Sequence, residues 1–514
     1  VLFDAYRVNL EPYSLDPDVK NPGDVRWWLA DYDLVVRGAV TLDPGDGKTV
    51  LRVQDNSKAL WRDLLTWEFG ETGLLEGYGS NIALAFSADG KSIFVNSSFE
   101  KDQTSVRKID AADGSVRSII AEDPKASVWD VITVSLYPQA KILFNPFSGD
   151  VQAVCFNYLK PKWKPVDRSL VADMSFLESR YTGVFDVSSR SNDDSKWVVD
   201  YFDDRSPGAT YLYNRIDRTM EVLTGSTDTA QSKKYARMEP ISILARDGAE
   251  IPCYLTAHPA EDNSKRPLVV YVHGGPWARD NWGFSPIVQF LAGRGYAVLQ
   301  VNYRGSTGYG KTFLNKGMAQ LGFGTMQHDL TDAVKDVTAK GLADPKRVAI
   351  MGASYGGYAT LAGLTFTPDL YACGVALCGI SDMRSFLSTI PPNSVMNSTK
   401  IRWIKRVGPV LDDDAFNKKV SPIHNIKAMK GKLLIGHGIN DPRVPIAESD
   451  NMVKAMREEK NDVTYVVYAG EGHGFQHPLN IMDFFSRVDE FLGKNLERPF
   501  IPWQKIEGST VEVR

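Results

Sequence analysis

Cysteine is scarce in this chain and histidine is missing from its first half. The 514 residues carry four cysteines, none in a Cys-x-x-Cys pair, and all seven histidines lie at or beyond position 258. So few unpaired thiols exclude a disulfide scaffold and fit a reducing compartment better than a secreted one. No His-Glu-x-x-His run occurs, and Cys373 and Cys378 have no histidine at ligand spacing, so neither a metal site nor a cofactor is read from the sequence. With a formal net charge of -4 and no long block of like charge, nothing points to nucleic acid or an anionic membrane as partner. No apolar run is long enough to cross a bilayer, and Val1-Leu2-Phe3-Asp4 has no basic stretch leading into an apolar core, so a cytoplasmic location is expected. Residue 1 is not Met, which is compatible with a processed or partial form.

What is present divides by texture. The length exceeds what one hydrophobic core usually organises, so two domains are expected. Up to about residue 235, short strand-like runs alternate with polar turns, an all-β pattern. Phe86 to Val95 places Asp89-Gly90 before an apolar strand, Val106 to Val116 supplies another strand and an Asp-Gly turn, and Tyr137 to Phe144 and Asn192 to Val199 repeat the logic. Their separation, on the order of 50 residues, is close to the period of a four-stranded propeller blade; a β-sandwich fits the same short strands and stays open. From Ile241 onward, apolar runs (Leu268–Val272, Ala297–Val301, Arg347–Met351, Val375–Leu377, Lys432–Gly436, Val463–Val467) alternate with helical patterns such as Met326–Lys340, Glu448–Glu459 and Ile481–Leu496. That alternation predicts a mostly parallel sheet with helices on both faces, its ligands gathered at the strand ends.

One of those strands runs into Gly352-Ala353-Ser354-Tyr355-Gly356. Gly-x-Ser-x-Gly between a strand and a helix reads as a nucleophile elbow, with glycines where side chains would collide in the tight turn. A serine hydroxyl is a poor nucleophile at neutral pH and needs a histidine base, itself oriented by an acid, in the chain order Ser, acid, His. His473, in Gly470-Glu471-Gly472-His473-Gly474 after a strand and before the last helix, is placed to be that base. His477, before Pro478, reads as a surface residue, His437 as a structural hydrogen-bonder lining the site, and His258, His328 and His424 as polar-face residues. Asp441, in the loop after the Ile435 strand, is the acid of choice. Asp382 follows the wrong strand for that role, and Asp412-Asp413-Asp414 reads as a solvated turn. The backbone N–H of Tyr355 and one from His273-Gly274-Gly275-Pro276, with Gly275 the donor of choice, would hold the oxyanion. His273 precedes the nucleophile and reads as structural.

Taken in order, His273-Gly274-Gly275-Pro276, Asn302-Tyr303-Arg304-Gly305-Ser306-Thr307-Gly308-Tyr309-Gly310, Gly352 to Tyr358 and Gly472-His473-Gly474 resemble the prolyl oligopeptidase family of serine peptidases, most closely its acylaminoacyl-peptidase and aminopeptidase branch. The resemblance is specific over roughly residues 240 to 495. It implies an α/β-hydrolase domain (residues 236–514) capped by a β-propeller (residues 1–235) that restricts entry to short peptides, with N-terminal (acyl)amino acids released through an acyl-enzyme; homo-oligomerisation stays open. By position, Arg402 resembles the arginine with which this branch holds a substrate carbonyl, a surface salt bridge being the other reading. Two departures stand out. The first part has room for only four or five blades, fewer than the seven usual in the family. The glutamate pair on which dipeptidyl relatives anchor a free amino terminus has no counterpart before residue 458, where the first Glu-Glu occurs.

Rival readings use the same residues. Gly305-Ser306-Thr307-Gly308-Tyr309-Gly310-Lys311-Thr312 satisfies the phosphate-binding pattern Gly-x4-Gly-Lys-Thr, but Asn302-Tyr303-Arg304 separates it from the strand, and Gly317 and Gly322 interrupt the helix that should follow. A carboxylesterase with the same triad is the nearer rival, since fold does not settle the leaving group. A non-catalytic interaction protein is disfavoured because every triad position is filled.

Overall fold

Turn chemistry sets the first half of the fold. The carboxylates of Asp89, Asp113 and Asp193 each accept the backbone N–H two residues on, at 3.1, 2.9 and 3.1 Å, and each such turn reverses the chain between two strands. The computed structural model describes residues 3–43, 45–71, 82–132, 138–225, 234–259, 266–390 and 397–514. Three four-stranded antiparallel meanders, the repeating unit of a propeller, run from Val25 to Trp67, Ile82 to Ala121 and Val184 to Gly225, and a three-stranded one runs from Ile142 to Pro165. Two hairpins add to these, Ala5–Leu10 with Tyr13–Val19 and Asp130–Ile132 with Pro138–Ala140. Tyr137, the start of one expected turn, lies outside the described residues.

An all-β first half is not quite what forms. The helix Val171–Arg180 packs Met174 and Leu177, with Leu170 just before it, against Trp197 and Tyr213 of the last meander. The spacing Leu170, Met174, Leu177 is helical, a signal that short-strand texture on either side obscures.

The second half builds one nine-stranded sheet: β1 (Arg237–Leu244), β2 (Glu250–Ala257), β3 (Leu268–Val272), β4 (Ala297–Val301), β5 (Val348–Ala353), β6 (Cys373–Leu377), β7 (Lys432–Gly438), β8 (Val463–Tyr468) and β9 (Val511–Val513). Their order across the sheet is 1-2-4-3-5-6-7-8-9, with β3 to β8 parallel and β1, β2 and β9 antiparallel to their neighbours. This is the α/β-hydrolase arrangement. In β3, Leu268, Val270 and Val272 face one core and Val269 the other, so both sides of the sheet are covered by helices. Among the described residues no helix is long and apolar enough to cross a membrane.

The two halves meet around the loops that follow β3 and β4. Arg279 donates to the Asn157 and Tyr158 carbonyls at 2.7 and 2.6 Å, and Tyr254 Oη to Leu159 O at 2.8 Å. The stretch matching the phosphate-binding pattern belongs to this seam. Asp102 from the first half accepts the Thr312 N–H at 2.7 Å through its side chain and the Lys311 N–H at 2.9 Å through its carbonyl, while Lys311 Nζ reaches Ser98 O at 3.1 Å. The helix that follows has only five residues, Lys311–Asn315. A carboxylate of the chain itself thus fills the place a phosphate would take.

Candidate active site

The β5-to-helix turn puts Ser354 at φ 60°, ψ -120°, immediately ahead of the helix Tyr355–Phe366. Such a conformation costs a non-glycine residue of order 1–3 kcal/mol and is held by close packing around it. A methyl group on Gly352 would lie 2.6 Å from Val272 O, and one on Gly356 would run into the same oxygen. The elbow can therefore close against β3 only with glycine at both places.

The loop after β3 lies beside the serine. A methyl on Gly274 would sit 3.2 Å from Ala353 O and 3.5 Å from Ser354 Cβ. Gly275 adopts φ +125°, where other residues are strained. His273 fixes this loop from beneath: its ring stacks on Tyr303 at 4.4 Å, Nε2 meets Ser306 Oγ at 2.9 Å and Nδ1 meets Gly274 O at 2.8 Å. Burial, against the opposing pull of the Gly274 carbonyl, lowers its pKa to about 4, so the imidazole is neutral. Tyr355 is the first residue of its helix, and its N–H therefore has no carbonyl in a preceding turn.

Asp441 and His473 come from the loops after β7 and β8. His473 Nδ1 and Asp441 Oδ2 are 2.7 Å apart, and the other carboxylate oxygen accepts the N–H groups of Arg443 and Val444 at 2.8 and 2.9 Å. Burial works against the Asp441 charge, but hydrogen bonds from His437, His473 and Val444 outweigh it and hold the carboxyl well below its ordinary range. His437, fully buried, bonds Ser449 Oγ at 2.7 Å and Val444 O at 2.9 Å, and its Nε2 lies 3.5 Å from Asp441. With Nδ1 of His473 engaged, Nε2 is left for a hydroxyl or a leaving group. The Ser354 N–H donates to Leu377 O at 2.9 Å, and the Sγ of the next residue, Cys378, lies within 4.8 Å of a ring nitrogen of His473 and a carboxylate oxygen of Asp441. The turn that carries Ser354 and the Asp441–His473 pair are thus neighbours through Leu377 and Cys378.

Other candidates sort as follows. Arg402, on the helix Asn397–Val407, lies with its guanidinium 4.7 Å from the Trp277 ring of the loop after β3. Asp382 caps the helix Met383–Thr389 and meets His424 Nε2 at 2.9 Å, and His477 is exposed. The Asp412–Asp414 run differs from a plain turn: Asp413 caps the helix Asp414–Val420 by accepting the Phe416 N–H at 2.9 Å, and Asp414 pairs with Arg384.

Sequence reasoning missed Glu471. Only 3% exposed, it accepts the N–H groups of Gln476 and His477 at 2.8 and 3.0 Å and Asn480 Nδ2 at 2.7 Å, spanning the loop that carries His473. Its own carbonyl takes the Asn440 N–H at 2.9 Å, tying the His473 loop to that of Asp441. A charged residue between two glycines was the available signal. Glu471→Ala leaves three donors without their acceptor, the buried Asn480 Nδ2 at about 1–3 kcal/mol and the two half-buried N–H groups at less. It is expected to lower the thermal midpoint and to cut kcat by on the order of 10–100-fold with little change in KM; Glu471→Gln, keeping one acceptor, recovers part of both. Paired melting curves and steady-state kinetics check this.

A model of the prolyl oligopeptidase family matches residues 282–498. The chain is 36% identical over 520 residues to dipeptidyl aminopeptidase BIII of Pseudoxanthomonas mexicana, covering 99% of this chain and 72% of that one. It is 33% identical to dipeptidyl peptidase family member 6 of Caenorhabditis elegans, covering 92% and 66%. Among solved structures, a puromycin-hydrolyzing peptidase of Mycobacterium tuberculosis superposes with a TM-score of 0.75 at 20% identity, over 97% of this chain and 73% of that one.

Proposed function

Since the chain belongs to the prolyl oligopeptidase family and is a serine peptidase, we propose that Ser354, His473 and Asp441 carry its chemistry and that it removes a short unit from the amino-terminal end of small peptides. The observation that carries this reading is the 2.7 Å His473–Asp441 hydrogen bond beside the Ser354 elbow. Ser354 Oγ attacks the scissile carbonyl while its proton passes to His473 Nε2, and Asp441 stabilises the imidazolium without taking the proton. The carbonyl oxygen, now an anion, accepts hydrogen bonds from the N–H groups of Tyr355 and Gly275. Collapse expels the amine with the proton from His473, leaving an acyl-serine. Water, deprotonated by the same imidazole, then attacks the ester and restores the hydroxyl. Arg402, whose guanidinium lies near the Trp277 ring, would by the family resemblance hold a second substrate carbonyl.

The unit released admits two readings. Likeness to a dipeptidyl aminopeptidase over nearly the whole chain favours a free-amine dipeptide. The likeness of its motifs to the acylaminoacyl-peptidase branch favours a blocked amino acid.

Hydrolysis of a free-amine dipeptidyl nitroanilide, an N-acetyl-aminoacyl nitroanilide and the matching nitrophenyl ester separates these readings. Cleavage of the first amide with at least tenfold higher kcat/KM than the second assigns dipeptide release, and the reverse assigns acylamino acid release. Turnover of the ester alone overturns the proposed peptide substrate.

A further inference from the structure

Cys378 lies just past the end of β6 and takes no part in the steps above. Its Sγ, a ring nitrogen of His473 and a carboxylate oxygen of Asp441 all lie within 4.8 Å of one another. The loops after β6, β7 and β8 bring these three together from distant parts of the chain, which is why no ligand spacing announced them. Cysteine, histidine and aspartate are the sulfur, nitrogen and oxygen ligands that Zn²⁺ takes in tetrahedral sites, where neighbouring donors stand about 3.3–3.8 Å apart. To take one ion the sulfur would close by about 1 Å while the His473–Asp441 pair, 2.7 Å apart, opens by about half an ångström. Cys378 is 2% exposed and the Asp441 side chain fully buried, but the His473 side chain keeps 14% of its surface open, and that opening admits an ion.

We propose that Cys378, Asp441 and His473 form an inhibitory site for Zn²⁺ and Cd²⁺, in which the ion takes the imidazole and carboxylate away from Ser354 and the sulfur supplies the third ligand. The balance is simple. The Cys378 thiol proton leaves to solvent, the proton on His473 Nδ1 moves to Nε2, and water fills the fourth position, with no electron transferred.

The test has two arms, because only one depends on the proposed function. In metal-free buffer, Zn²⁺ is expected to suppress amide hydrolysis by wild type more than tenfold, with EDTA restoring it. Cys378→Ala and the isosteric Cys378→Ser are expected to retain activity and to raise the half-inhibiting Zn²⁺ concentration at least about tenfold. Inhibition unchanged in both variants, or none in wild type, overturns the proposal. The second arm reads the near-ultraviolet thiolate-to-metal absorption of Cd²⁺ added to Ser354→Ala protein, where no turnover is needed. The band is expected there and lost when Cys378→Ser is added; its persistence overturns the site. If instead Ser354→Ala still cleaves peptides, the catalytic reading fails while the metal band stands.

Discussion

Ser354→Ala is expected to lower kcat for the preferred nitroanilide by on the order of 10⁶ while leaving the fold intact. Alanine meets the same backbone conformation as serine at this elbow, so strain is neither added nor relieved, and Ser354 gives up only its oxygen. The residual rate should still exceed the uncatalysed one by on the order of 10³–10⁴, because the oxyanion donors and the binding surfaces remain. Nitroanilide assays with purified wild type and variant, beside covalent labelling by a fluorophosphonate, check both halves. Labelling that survives the substitution would place the nucleophile elsewhere.

The largest stability effect is expected at a residue that touches no substrate. Arg304, only 2% exposed, lies in the loop after β4, and Asp329, fully buried on the helix Thr325–Ala339, holds it with both carboxylate oxygens. Nε stands 3.1 and 3.0 Å from them, a terminal nitrogen is 2.6 Å from Oδ1, and the Arg304 N–H gives a further bond of 2.8 Å. Burial opposes the guanidinium charge, but Asp329 and Asp247 raise its pKa above that of an ordinary arginine. Asp329→Ala leaves that charge in the interior with only the half-exposed Asp247 as counter-ion, at a cost of about 3–5 kcal/mol. Activity should fall with stability, since the same loop carries Tyr303, on which His273 is stacked. Replacing both partners by apolar residues, as in Arg304→Met with Asp329→Leu, should recover much of the stability, because no charge is then left unpaired. Urea unfolding of wild type and the two variants measures this, and a loss under about 1 kcal/mol for Asp329→Ala would refute it.

Legibility in the sequence followed burial. Strands β3 and β4 were readable to the residue, because central parallel strands are covered on both faces and appear as unbroken apolar runs. β7 and β8 run one or two residues past the apolar stretch, into Gly438 and Tyr468, where the chain turns toward the site and composition no longer marks the strand. In the first half, the Asp-Gly turns were visible, but one helix was hidden among short strands. Ser354, Asp441 and His473 could be picked out because each sits in a loop of distinctive make-up at a strand end. Cys378 could not, since what it touches depends on how loops from separate strands meet; Glu471 was passed over although its partners Gln476, His477 and Asn480 lie within nine residues of it. The phosphate-binding pattern matched by letter alone, and its context in the sequence already spoke against it; the carboxylate that occupies it comes from 210 residues earlier.

That distance has a consequence for synthesis. The Asp102 side of the seam leaves the ribosome long before its counterpart at Thr312, and at about 5–20 residues per second the delay is about 10–40 s. Through that interval the nascent first half must shield its own docking face, and the polar character of the seam, built from carbonyls, a lysine and a carboxylate, lets water serve as the temporary partner.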